Sequence, residues 1–223
     1  MMRLAILISG RGSNMLRLAD VIDSRTDQAQ IVLVAANKSC QGLDSAAGAG
    51  LPTQLVDRRD FADKSAQEET LAAAIEATGA DWILLAGYMA ILSASFVDRF
   101  RDRIINIHPS LLPDLKGLDT HARALSAGYR RHGATVHLVT PALDDGPILL
   151  QAALTVGRDE TESELAARVL ALEHALYPFV ILALAAGDLR IIDGNPHWRP
   201  GARSIELADT TISDVLKKTV IWP

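Results

Sequence analysis

The first hundred residues alternate short, mainly apolar runs with helix-like stretches, and this alternation constrains the fold more than any other feature of the chain. Residues 4–8, 31–35, 53–56 and 82–86 are runs of the kind buried on both faces of a parallel sheet. Between them, residues 15–23, 43–49 and 65–78 have the spacing of helices. The last ends at Gly79, which suits the left-handed residue beyond a helix C-terminus. Residues 93–100 read as a further short helix, and 103–107 as a strand stopped by Pro109. Such an alternation winds into an α/β, doubly wound, mostly parallel sheet with helices on both faces.

The second half changes character. Residues 120–127 look helical, while 134–139 and 148–156 look like strands. The turn-rich segment 141–147 between those strands suits an antiparallel return, so an antiparallel extension is expected in the C-terminal half. Thr161-Glu162-Ser163-Glu164 has the form of a capping box and opens a long helix. Pro178 is expected to kink or restart that helix. Residues 189–192 read as an edge strand, and 194–223 as an irregular C-terminal extension.

Composition narrows the function classes. A chain of 223 residues buries enough surface to need no covalent staple, and its one cysteine, Cys40, excludes a disulfide framework and a cysteine-cluster zinc site. Lys+Arg 22 against Asp+Glu 27 leaves a net charge of −5, with no basic footprint for nucleic acid or an anionic membrane. The opening residues read as a buried strand rather than a signal peptide, and 180–186 is too short to span a bilayer. A cytoplasmic protein acting on small molecules is expected.

Three stretches carry the chemistry. Ser9-Gly10-Arg11-Gly12-Ser13-Asn14 follows the first strand and precedes the first helix. There, backbone N–H groups and the helix dipole form an anion site, and glycine lets the backbone approach its ligand. Met15 occupies the third glycine position of a dinucleotide fingerprint, and the Gly-Lys-Ser/Thr ending of a P-loop is absent. A monophosphate or carboxylate is the expected ligand; the alternative is a plain turn capped by Ser13 or Asn14. In Asn106-Ile107-His108-Pro109, Asn106 and His108 lie two apart on a strand and project together, where open α/β sheets bind ligands. An amide beside an imidazolium suits stabilisation of a developing oxyanion. Leu143-Asp144-Asp145-Gly146-Pro147 offers a carboxylate to orient the imidazole, although the same residues are turn chemistry. Spacing alone leaves Asp144 and Asp145 both open. His121 and His132 read as surface or helix-flanking residues, His137 as a strand residue, and no set of residues has metal-ligand spacing.

From residue 4 to about residue 192 the chain resembles the phosphoribosylglycinamide formyltransferase family, the folate-dependent formyl-transfer enzymes of purine biosynthesis. The resemblance rests on the Ile8 to Asn14 loop, Leu85-Ala86-Gly87-Tyr88-Met89, and Asn106-Ile107-His108-Pro109-Ser110-Leu111-Leu112-Pro113. It rests also on His132-Gly133-Ala134-Thr135-Val136-His137 leading to the Asp144 segment, and on Glu173-His174-Ala175-Leu176-Tyr177-Pro178. It implies a Rossmann-like formyltransferase fold in a single domain, 1–223, with a phosphate-binding half at 1–108 and a folate-binding half at 109–193. It further implies that Gly12, Ser13 and Asn14 hold the phosphate of glycinamide ribonucleotide and Glu173 its ribose. Lys64, Met89, Ala90, Ile91, Leu92, Asn106, Thr140, Leu143 and Asp144 would contact folate, with Asn106, His108 and Asp144 as the catalytic trio. By the same resemblance 10-formyltetrahydrofolate is a consumed cosubstrate, no metal or bound cofactor is required, and the enzyme is a monomer or homodimer.

The chain departs from the family pattern at Ala90 and Lys64, where Arg is usual, and at Asp119, which replaces a frequent His. Lys64 can still donate as a point charge but not bidentately. A methionyl-tRNA formyltransferase would need an RNA-binding C-terminal domain, for which this chain is short and acidic. A formyltetrahydrofolate hydrolase would carry an N-terminal regulatory domain, whereas this chain enters its first strand at once. A phosphate-binding module without catalysis would use the Gly12 loop but not Asn106 with His108.

Overall fold

Leu4, Ala5, Ile6, Leu7 and Ile8 have no exposed surface, so the strand that carries them is buried on both faces. In the computed structural model, which describes residues 1–201 and 210–223, this strand is β1 (Met2–Ile8). It belongs to the first of two units, Met1–Asn106 and Ile107–Pro223. β1 pairs in parallel with β2 (Ala29–Ala36) on one side and β4 (Trp82–Leu85) on the other. β2 continues to β3 (Thr53–Leu55) and β4 to β5 (Ile104–His108), again in parallel. The resulting order β3-β2-β1-β4-β5 reverses its direction of winding between β1 and β4. The loops after those two strands therefore open at the switch point, where α/β sheets bind ligands.

The helices α1 (Ser13–Arg25), α2 (Gln41–Gly48), α3 (Lys64–Ala77) and α4 (Ala94–Arg99) connect these strands. Local chemistry explains their starts. Asp63 caps α3 by accepting from Ala66 N at 2.8 Å, and Ser93 caps α4 by accepting from Phe96 N at 3.2 Å. Gly79, just past α3, has φ 64, as its place in the sequence predicts.

In the second unit, α5 (Thr120–Ser126) leads into β6 (Arg131–Leu138), which pairs antiparallel with β7 (Ile148–Thr155) from Arg131↔Thr155 to His137↔Ile148. The long helix α6 (Glu162–Ala185) packs against both strands. Its capping box is complete: Glu164 N donates to Thr161 Oγ1 at 3.3 Å, and Thr161 N donates to Glu164 Oε2 at 2.8 Å. By length and composition α6 could cross a membrane, yet 61% of its apolar stretch is buried inside the protein, as befits a core helix. It runs through Pro178 as one element rather than restarting. Proline removes one helical donor, and buried Leu176, Tyr177, Phe179, Val180 and Ile181 hold the turns on either side.

The C-terminal part meets one expectation and corrects another. β8 (Leu189–Ile192) is an edge strand, of a separate two-stranded sheet in which it pairs with β9 (Asn195–Trp198). Residues 194–223 are not irregular throughout. They contain β9, α7 (Thr210–Thr219) and β10 (Val220–Ile221), while 202–209 lie outside the described residues. β10 adds to β7 at Val220↔Ala152 and Ile221↔Gln151. Trp198 meets Trp222 edge-on at 4.9 Å between centroids, stacks on Phe179 at 5.9 Å, and donates its indole N–H to Leu149 O at 3.1 Å. Partners this distant in sequence leave no local periodicity to read.

Candidate active site

β1 delivers the chain to the Gly10–Gly12 turn, and α1 begins at Ser13. Gly12, at φ 76, is itself the residue capping α1, so neither Ser13 nor Asn14 serves as the cap; both lie in the first helical turn. The N–H groups of that turn have no partner within the helix and point outward from its positive end. A second helix start abuts the same turn. Gly42 N donates to Gly10 O at 2.9 Å, and a Cβ on Gly12 would come within 2.9 Å of Gly42 Cα. Glycine is therefore required at Gly12 both by its left-handed backbone and by close approach of another backbone.

The loop after β4 carries Met89, 69% exposed, and Ile91, 67% exposed, beside buried Leu92. Apolar side chains held open in this way suit a flat organic ligand better than water. Lys64 opens α3 with its Nζ 3.5 Å from Glu68 Oε1. Glu68 is buried and accepts from both Ser93 N, at 2.9 Å, and Ser93 Oγ. Burial, helped by the Glu68 charge, pushes the Tyr88 hydroxyl up to about 12.

In the second unit, His108 is buried between two acceptors. Its Nε2 lies 3.0 Å from Leu115 O and its Nδ1 3.5 Å from Asp144 Oδ2. The Asp144 contact is longer than a good hydrogen bond, and contacts of this kind often tighten only with substrate. The same Asp144 oxygen is fixed by Gly117 N, which donates to Oδ2 at 2.9 Å. Asp144 and Leu115 both have left-handed backbones, at φ 47 and φ 56. Aspartate tolerates that region; for leucine it is strained, and the surrounding hydrogen bonds must hold it. Asp145, by contrast, is exposed and pairs with Lys116.

Two neighbours escaped the sequence reading. His137 is buried, with Nδ1 2.8 Å from Leu138 O and Nε2 3.8 Å from Asp144 Oδ1. Burial lowers its pKa and keeps it neutral beside the carboxylate. Its place on the strand leading into the Asp144 segment was the available signal. His132, expected at the surface or flanking a helix, is 1% exposed and lies 3.1 Å from His121 Nδ1 through its Nε2. Burial drives His132 down to about 4, with His121 adding to the effect. Thr135 links the segment after His108 to β6: it accepts from Leu112 N at 3.0 Å and donates to Ser110 O at 2.7 Å.

Of the residues expected to carry function, Gly12, Ser13, Asn14, Lys64, Met89, Ala90, Ile91, Leu92 and Asn106 belong to the first unit. His108, Thr140, Leu143, Asp144 and Glu173 belong to the second, where His108 and Asp144 are in direct contact. Leu143 is half exposed and Glu173 is buried on α6. Among the described residues, no group of three or more His, Cys, Asp or Glu is placed to hold a metal ion.

Residues 2–181, from β1 into the last turns of α6, match the model of the formyl transferase family, and the chain belongs to that family. Within it, the chain is 39% identical over 203 residues to phosphoribosylglycinamide formyltransferase of Escherichia coli (strain K12), spanning 91% of this chain and 95% of that one. The crystal structure of phosphoribosylglycinamide formyltransferase from Brucella melitensis superposes with a TM-score of 0.79 at 49% identity, covering 83% of this chain and 96% of that chain. The chain is also 39% identical over 190 residues to the trifunctional purine biosynthetic protein adenosine-3 of Bos taurus; the match takes in 85% of this chain and 19% of that much longer protein.

Proposed function

We propose that the protein transfers the formyl group of 10-formyltetrahydrofolate to the amine of N1-(5-phospho-D-ribosyl)glycinamide in purine biosynthesis. The products are the N-formyl ribonucleotide and tetrahydrofolate. The observation that carries this reading is His108, buried between the Leu115 carbonyl and Asp144, at the end of the strand that also bears Asn106. Relatives named for this activity, matched along most of the chain, support it.

The substrate amine attacks the formyl carbon, and the carbonyl oxygen becomes an oxyanion. The Asn106 amide and the protonated His108 ring stabilise that charge as it develops. Asp144 orients the ring and balances its charge. The proton lost by the attacking nitrogen passes to the folate nitrogen as the carbon–nitrogen bond to folate breaks. Gly12, Ser13 and Asn14 bind the phosphate through backbone donors, and Glu173 binds the ribose. The Met89 to Leu92 loop, Lys64, Thr140 and Leu143 hold the folate, with Ala90 contributing backbone alone.

On this reading residues 1–108 and 109–193 are the phosphate and folate halves of one functional domain, working in the cytoplasm as a monomer or homodimer on small molecules only. The test is formyl transfer from 10-formyltetrahydrofolate with glycinamide ribonucleotide, against water as sole acceptor. Tetrahydrofolate released only with the ribonucleotide supports the proposal. Equal release without it would mean a hydrolase, and ribonucleotide binding without turnover would mean a binding module.

A further inference from the structure

We infer that Ser9 is a positioning residue that ties the phosphate loop to the folate loop, so that each substrate strengthens binding of the other. The inference rests on the functional reading above, which assigns those two loops to the two substrates. Ser9 stands between β1 and Gly10 and is 3% exposed. Its backbone N donates to Gly87 O at 3.1 Å. Its hydroxyl accepts from Met89 N at 2.8 Å, across 80 residues of sequence, and donates to Asn37 Oδ1 at 2.7 Å. One residue thus joins the ends of three strands: β1 through itself, β2 through the side-chain bond to Asn37, and β4 through the backbone bond to Gly87 and the hydroxyl bond to Met89.

The position matters as much as the bonds. These contacts sit at the switch point of the first unit, where winding reverses between β1 and β4. Gly10, the next residue, is held by Gly42 N, so the turn that presents the anion-facing N–H groups is anchored on one side by α2 and on the other by Ser9. Met89 begins the loop that leaves Met89 and Ile91 exposed, and its backbone N–H is fixed by the Ser9 hydroxyl. The hydroxyl has one proton to give, and Asn37 takes it; its acceptor capacity meets Met89. A ligand that orders either loop therefore also orders the hydroxyl on which the other depends. The second ligand then meets a site already arranged, which is positive coupling without a large conformational change.

Tetrahydrofolate and glycinamide ribonucleotide form a non-reactive pair, so both can be titrated calorimetrically, each alone and in the presence of the other. In the wild type, each should tighten the other severalfold. Ser9→Ala should weaken tetrahydrofolate by about tenfold and abolish the coupling, with the ribonucleotide alone bound within about threefold of wild type. Saturated kcat should stay within about threefold, because Asn106 and His108 are untouched. Ser9→Thr, which keeps the hydroxyl, should retain the coupling. Asn37→Ala, which spares the Met89 contact but frees the hydroxyl to turn, should lose part of it and serves if Ser9→Ala does not fold. An unchanged coupling factor in Ser9→Ala and Asn37→Ala would overturn the inference, as would equal weakening of both ligands with a matching fall in Tm. Wild-type protein that binds neither ligand would instead bring down the functional reading, and this inference with it.

Discussion

The two units build their candidate sites in opposite ways. The first offers backbone: N–H groups at the start of α1, a left-handed Gly12, and a neighbouring helix start brought to contact distance by Gly42. The second offers titratable side chains, His108, Asp144 and His137, held by carbonyls, an N–H and each other. Backbone donors keep the same charge at every pH, so the first unit depends on shape. The second depends on protonation. Substitutions of those side chains in the second unit should therefore act on kcat and on pH behaviour, and substitutions in the Gly10–Gly12 turn of the first on KM.

Asp144→Asn is the strongest test of that contrast. It keeps the size of the side chain and removes the charge facing His108, and should lower kcat/KM by about 10³–10⁴, the scale known for a carboxylate that orients a catalytic histidine. If formyl-transfer kinetics showed a raised KM with kcat intact, the division between the units would collapse. Asn106→Ala should reduce kcat by about 10²–10³, or about 2.7–4 kcal/mol, with KM values far less affected. Normal turnover in that variant would remove the amide from the oxyanion site.

A third effect concerns stability rather than rate. His132 is held neutral by burial, at about 4 in the folded chain against the ordinary 6.5. The unfolded chain takes up the proton first as pH falls, so the folded state is fully favoured above about pH 6.5 and loses ground between 6.5 and 4. The loss should reach about 2–3 kcal/mol. Urea melts across that range should show it, and His132→Gln should flatten the curve. A wild-type curve that is flat from pH 7 to 4 would contradict the burial of this ring.

Gly12→Val should raise KM for the ribonucleotide about tenfold or more while leaving the folate KM nearly unchanged, since its Cβ has no room beside Gly42 and its backbone is left-handed. Equal weakening of both substrates would detach the loop from the phosphate. The smallest effect belongs to Asp145→Asn. That side chain faces Lys116 at the surface, and both rate and pH profile should stay close to wild type.

What could be read from the sequence follows the same contrast. The strand-to-helix turn at Gly12 and the capping box at Thr161 are local devices, written in consecutive residues, and the chain builds them where expected. β1 and β2 were visible because burial on both faces leaves an unbroken apolar run. Depth was not visible for His132, because the burial of a single ring leaves no periodic pattern in the sequence. Nor was the closeness of His137 to Asp144, which depends on how the 139–147 segment folds back. At Pro178 the helix does not restart, one of the two outcomes expected there: a rule that treats the helix alone leaves out the core that holds both sides of it. Spacing likewise left Asp144 and Asp145 equivalent; the family resemblance pointed to Asp144, and the structure sets Asp144 against His108 and Asp145 against Lys116.

The short strand β10 has a consequence out of proportion to its length. Without it, the side of β7 away from β6 would offer unpaired backbone groups at Gln151 and Ala152, the kind of open border on which another chain can assemble. The two tryptophans that clasp over Phe179 fasten this cover from outside the matched family region. By pairing those two positions within the chain, β10 shortens the stretch of β7 border left open to a foreign strand.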